Sequence, residues 1–168
     1  MTGSEHAAPS GRPRGQVPVA GGPSSGAPAA DEQARHGGAP GQVERLPGDP
    51  PSPWEGKFGF SRLTRAGGLV VVGGTTSVDP TGVVIGATPY EQTVEILRKI
   101  EYELSRAGAR LADVIQTRLY VTDITRAEEM GRAHGEVFGD VRPCMTMVEV
   151  SSLIDPRMLV EIEAIAII

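Results

Sequence analysis

Residues 142–168 read RPCMTMVEVSSLIDPRMLVEIEAIAII, two strand-like runs around a short turn, and in the second run Glu161 and Glu163 take alternate positions of an otherwise apolar stretch. Successive side chains of a strand point to opposite faces. Val160, Ile162, Ala164 and Ala166 therefore form one face, and Leu159, Glu161, Glu163 and Ile165 the other. The first face suits burial under helices. The second is too apolar to stay wet and too charged for a core, because a carboxylate taken out of water needs a partner. Met145, Met147 and Glu149 of the preceding run are expected beside it. Such a face suits a subunit interface that contains a polar cleft.

The rest of the chain supplies the elements that cover the apolar face. FGFSRLTR and GGLVVVGGTTSVDPTG predict a hairpin whose second strand is apolar on both faces and closes in an Asp79-Pro80-Thr81-Gly82 turn. TPYEQTVEILRKIEYELSRAG predicts a helix. Thr88 as N-cap, Pro89 at the first helical position and Glu91 three residues after the cap satisfy two orphan amides reciprocally. Val94, Leu97, Ile100 and Leu104 form its stripe and Gly108 stops it. In DVIQTRLYVTD, Ile115, Thr117, Leu119 and Val121 are expected toward the helices and Gln116, Arg118 and Tyr120 away from them. TRAEEMGRAHGEVFGD repeats the capping device with Thr125 and Glu128, its stripe being Ala127, Met130, His134, Val137 and Phe138. Strands at 144–150 and 158–168 complete the order hairpin, helix, strand, helix, hairpin: an α+β domain, a small mixed sheet with two helices on one face.

Composition bounds this domain. Ten of the 14 prolines precede residue 54, in a stretch of Gly, Pro, Ala and Ser with no run able to offset its ordering entropy by burial. Residues 1–53 are read as a disordered tail and 54–168 as one domain. No segment reads as a secretory signal or a membrane span, so a cytoplasmic location is expected, and the single Cys144 suits a reducing compartment. The formal net charge is -5, with four basic and five acidic residues in the tail and 12 and 16 in the remainder. Neither part is a basic surface for nucleic acid. Of three histidines two lie in the tail, so no metal-ligand spacing exists. GGTTSVDPTG has no P-loop lysine and reads as a turn. No metal or cofactor is expected.

Taken together, VVVGGTTSVDPTG, GARLADVIQTRLYVTDI, RPCMTMVEVSSL and VEIEAIAI resemble the Rid/YjgF proteins, once labelled a translation-inhibiting endoribonuclease group, over residues 57–168. The resemblance implies a chorismate-mutase-like α+β protomer, a homotrimer with clefts between subunits, and hydrolysis of reactive imines or enamines to carbonyl product and ammonia without metal or cofactor. It implies that Glu161 positions a water, that Gly74 offers backbone groups, and that Phe60 lines the cleft where a tyrosine is common. The family's carboxylate-gripping arginine falls at Met145. Methionine has no charge-assisted fork for a carboxylate, so the implied substrate is non-standard.

Imine hydrolysis needs a water placed at an electrophilic carbon and protons relayed to the leaving nitrogen, which a carboxyl beside an apolar wall can do if burial raises its pKa. Glu161 is the candidate catalytic residue; its alternative is a structural interface acid. Arg62 and Arg118 are candidates to replace the missing arginine, or else to bridge to Glu149 or Glu163. Tyr120 and Trp54 are candidates for the cleft mouth. Cys144, beside position 145, completes the substrate-binding set. Cys144 and His134 read better as an inert thiol and a packing histidine than as nucleophile and base. Three functions remain open: an imine deaminase, a non-catalytic trimer that binds a small metabolite, and an endoribonuclease, which the acidic balance disfavours.

Overall fold

The computed structural model describes residues 42–168. The tail expected over residues 1–41 lies outside the described residues. Its expected extension to Pro53 is corrected: strand β1 (Glu44–Leu46) pairs antiparallel with β2 (Leu63–Ala66), and a short helix α1 (Pro53–Phe58) lies between them. A capping box joins Ser52 and Glu55, and the buried Glu55 carboxylate also accepts the Gly48 N–H. Proline content pointed to disorder here, but this one buried acid ties the stretch down through backbone amides, a cause that composition does not carry.

β2 and β3 (Leu69–Thr75) form the expected hairpin, and the Asp79 turn closes with Gly82 N–H on the Asp79 carbonyl. Helix α2 (Pro89–Arg106) begins at the Thr88/Glu91 capping box and ends in a Schellman motif, with Ala109 N–H on the Leu104 carbonyl and Gly108 at φ +77°. Its buried stripe is Ile96, Leu97, Ile100 and Leu104; Val94 faces solvent. β4 (Val114–Val121) carries a bulge between Val114 and Gln116, so Val114 is buried and Ile115 exposed, the reverse of the strict alternation expected there. A 3₁₀ turn capped by Asp123, not Thr125, leads into α3 (Ala127–Phe138).

The last two strands are not a hairpin. β5 (Cys144–Glu149) lies parallel to β4 at the sheet edge, with α3 as the crossover. β6 (Val160–Ile167) enters the middle between β3 and β4, giving the order β1-β2-β3-β6-β4-β5. A hairpin joins its two strands by a short turn, whereas residues 150–159 are long enough to carry the chain past β4. The run with an unbroken apolar face takes the centre. α2 and α3 cover one face of this mixed sheet, over a core that includes Leu63, Val72, Leu119, Met130, Phe138 and Ile162. The expected α+β domain with two helices on one face is the observed one, with α1 added. No described helix is long and apolar enough to cross a membrane.

Candidate functional site

β6 places Glu161 and Glu163. Val160, Ile162, Ala164 and Ala166 are buried toward the helices, and the two acids are half-buried on the opposite, uncovered face. Pairing with β4 sets Glu161 beside Tyr120 and Glu163 beside Arg118. Arg118 Nη1 is 3.5 Å from Glu163 Oε2, and the Tyr120 hydroxyl donates to the same oxygen at 3.3 Å. The bridge to Glu163 that was one of two readings of Arg118 is therefore the one observed.

On the other side of β6 the pairing with β3 shifts between Val72 and Thr75. Gly73 and Gly74 occupy this irregularity. The Glu161 carboxylate lies over Gly74 so closely that a Cβ there would collide with Oε1 and stand 3.0 Å from Cδ. Arg62 donates from Nη1 to the Gly74 carbonyl, while Gly73 N–H donates to the Arg62 carbonyl at 2.9 Å. Arg62 lies in the bend just before β2 rather than in a strand, and its charge reaches both Glu161 and Lys99. Burial pushes the Glu161 carboxyl above its ordinary range; the negative charge of Glu163 adds to this and Arg62 opposes it. A carboxyl whose charged form is disfavoured in this way holds its proton more tightly than an exposed one, which suits it to general acid–base work.

A concavity of about 310 Å³ lies between the Asp79 turn and α2, lined by Val78, Pro80, Lys99 and Tyr102 among others. Its acids are already engaged: Glu95 with Arg98, Glu103 with Arg106, Asp79 within its turn, and Asp49 with the Tyr102 hydroxyl. It does not include Glu161. Among the described residues no cluster of three His, Cys, Asp or Glu side chains is placed to hold a metal.

The family model described as Endoribonuclease L-PSP matches residues 55–168. The chain belongs to the YjgF/Rid family. Its YjgF/Rid relatives include a RutC family protein of Pyrococcus abyssi, 35% identical over 109 residues, covering 64% of this chain and 84% of that one. An uncharacterized protein of Streptomyces coelicolor is 38% identical over 112 residues, 67% of this chain and 84% of its own. The crystal structure of a YjgF/YER057c/UK114 family member from Mycobacterium tuberculosis is 46% identical with a TM-score of 0.68, covering 76% of this chain and 100% of that chain.

Against the YjgF/Rid pattern the structure brings Glu161, Gly74, Arg62 and Tyr120 together, and separates others. Met145 pairs with Thr117, whose side chain is buried on the helix side, so Met145, Met147 and Glu149 belong to that face. Met147 packs against the core and Glu149 accepts the Ile124 N–H. Their expected position beside Glu161 within the protomer is corrected. The parallel register with β4 sets the face, where a hairpin with β6 had been expected. Cys144, Thr146 and Val148 take the open face instead, Cys144 beside Gln116 and Val148 beside Tyr120. Phe60 is exposed in the connection between α1 and β2 rather than within a strand. Lys99 escaped the sequence reading. Its Nζ donates to the Thr76 and Val78 carbonyls at 2.7 Å and burial lowers its pKa. The only sequence signal was its place three residues from Ile96 and four from Glu103, both buried on α2.

Proposed function

We propose that this protein hydrolyses reactive imines or enamines to carbonyl product and ammonia, without a metal or cofactor, at clefts formed where the open sheet faces of three copies meet. The observation that carries this reading is the Glu161 carboxyl: half-buried, raised in pKa, and held over a glycine at the one irregularity of the β3–β6 ladder. Family membership supports it. Water adds to the C=N carbon and gives up a proton to Glu161. The carboxyl returns that proton to nitrogen, giving a carbinolamine; it then takes the hydroxyl proton and passes it to the same nitrogen, so that the carbon–nitrogen bond breaks and ammonia leaves as the carbonyl forms. Gly74 keeps the space that Glu161 needs, and Tyr120 and the neighbouring apolar side chains exclude bulk water. Cys144, on the open face, and the exposed Phe60 line the cleft from its rim or from an adjoining copy.

The test is ammonia release by the purified full chain from freshly generated 2-aminoacrylate and from larger imines. A wild-type rate no better than that of Glu161→Gln removes the reading. Met145, which brings no charge to the place of the family's arginine, favours a second reading in which the trimer binds a small metabolite without turnover. Ligand-induced thermal stabilisation with no ammonia released would select it. RNA cleavage, suggested by the family description, fits poorly with a net charge of -5.

A further inference from the structure

We propose that Lys99 is a positioning residue for Glu161: its ammonium clamps the Thr76 and Val78 carbonyls and so holds β3 in the shifted register that leaves Gly74 beneath the Glu161 carboxylate. The role belongs to a helix on the far side of the sheet from the open face, and it rests on the hydrolytic reading above only where turnover is its readout.

The shift needs something to hold it. Between Val72 and Thr75 the chain advances three residues while β6 advances two, from Ala164 to Ile162. Carried on without that extra residue, the pairing of Val71 with Ile165 would set Thr75 opposite Glu161 and place its side chain on the open face. In the observed register Thr75 is buried opposite Ile162, and the carboxylate lies over Gly74 instead. Gly73 and Gly74 bring no side chains to fix the choice, and glycine-rich strands specify register weakly. The choice therefore falls to the backbone contacts around them.

Lys99 makes two of these. Its Nζ donates to the Thr76 and Val78 carbonyls at 2.7 Å each, across the bend at Ser77. In a straight strand equivalent atoms two residues apart are separated by about 6.7 Å, more than twice the 2.7 Å bond, so one nitrogen reaches both carbonyls only where the chain bends. A slip by one residue would turn these carbonyls away, since successive backbone groups of an extended chain point to opposite sides. The Ile85 N–H, on the Ser77 carbonyl at 2.9 Å, steadies the other side. Lys99 is half-buried and forms no ion pair among the described residues: Glu95 and Glu103, one turn to either side on α2, are taken by Arg98 and Arg106. A half-buried ammonium is a costly group to keep without an acid, and its N–H groups here go to two carbonyls of the segment that leaves Gly74. The charges that reach the Glu161 carboxyl are those of Glu163 and Arg62, so Lys99 acts on it through the backbone.

The experiment compares Lys99→Met, Lys99→Arg and Ile96→Val with the wild-type full chain. NMR reads the Thr75–Ile162 cross-strand contact and the Glu161 carboxyl-carbon titration, and steady-state kinetics reads imine hydrolysis. Lys99→Met is expected to lose or double the cross-strand contact, to move the Glu161 titration toward its ordinary 4.5, and to lower kcat at least about tenfold with KM little changed. Lys99→Arg, with the open concavity beside it, is expected to keep all three at wild-type values. Ile96→Val, which removes a core methyl from the same helix, is expected to lower stability alone. Wild-type register and titration in Lys99→Met overturn the proposal, and so does an equal change in Ile96→Val, which would mark a general loosening. Should Lys99→Met not fold, amine acetylation of wild type decides. The chain has two lysines, and the clamped Lys99 is expected to react at least about tenfold more slowly than the exposed Lys57. Equal rates overturn the proposal. A moved Glu161 titration in Lys99→Met with no turnover in wild type keeps the positioning role and removes the hydrolytic reading.

Discussion

The carboxylate of Glu161 occupies the space that a side chain on Gly74 would need, with Cδ 3.0 Å and Cγ 3.5 Å from the place of a Cβ. Gly74 is not among the glycines with positive φ, so its role is room rather than backbone freedom. Gly74→Ala is expected to push the Glu161 carboxylate aside. The displaced group is the end of a flexible side chain, so the fold should lose no more than about 1 kcal/mol. Ammonia release, which depends on where that carboxyl sits, should fall by at least about tenfold. Thermal unfolding and turnover on the same preparation check both. An alanine variant with the wild-type rate would show that the placement over Gly74 does not matter.

Glu163 contributes to the raised pKa of Glu161, second to burial and opposed by Arg62. Glu163→Gln should therefore move the Glu161 titration down toward its ordinary value of 4.5, seen in carboxyl-carbon NMR. Breaking the exposed contact with Arg118 should cost less than about 1 kcal/mol. The linkage has a definite sign. A carboxyl whose pKa is higher folded than unfolded holds its proton more tightly in the fold, so its contribution to stability declines as pH rises from the ordinary value through the raised one. Glu161→Gln removes this decline. The variant should gain stability relative to wild type between acid pH and pH 7, and urea unfolding at both ends of that range measures it.

His134 lies against β4 with Nε2 2.9 Å from Thr117 Oγ1 and its ring tilted 40° against that of Phe138, centroids 4.7 Å apart. Burial lowers its pKa below the ordinary 6.5. Here the sign is opposite: the unfolded chain takes up the proton first, so the contribution is complete above pH 6.5 and is lost as pH falls toward the lowered folded value. His134→Gln should unfold at lower denaturant at pH 7 and show a flatter loss of stability between pH 7 and 5. Parallel slopes in the two proteins would show that His134 does not titrate on unfolding.

Much of this was legible in the sequence where one local rule decides. The α2 capping box, the Gly108 stop and the Glu161/Glu163 alternation follow from residue type and spacing, and each is present. What the sequence hid depends on partners distant in the chain. The place of β6 between β3 and β4, and with it the face of Met145, is fixed by which strands compete for the sheet centre. A single bulge inverted Val114 and Ile115 without any glycine or proline to signal it. Glu55 ordered a stretch that proline content marked as tail. The candidate site divides in the same way: Glu161 and Gly74 were singled out from motifs, whereas the contacts of Arg62 with Gly74 and of Arg118 with Glu163 depend on which strands pair.

Leu69 pairs with Ile167 and Val71 with Ile165, and all four turn away from the helices, next to Glu161 and Glu163. Leu69 and Ile167 are 43% and 54% exposed within the protomer. A contiguous apolar block of this kind calls for a partner surface, and the proposed clefts exist only if copies meet there. Full-length protein should sediment as a trimer. Ile165→Lys, which places a charge in the block without touching the helix-side core, should shift it toward monomer with unchanged far-ultraviolet circular dichroism and with imine hydrolysis lost. A wild-type monomer at micromolar concentration, or an active Ile165→Lys monomer, would remove the intersubunit cleft while leaving the fold as described.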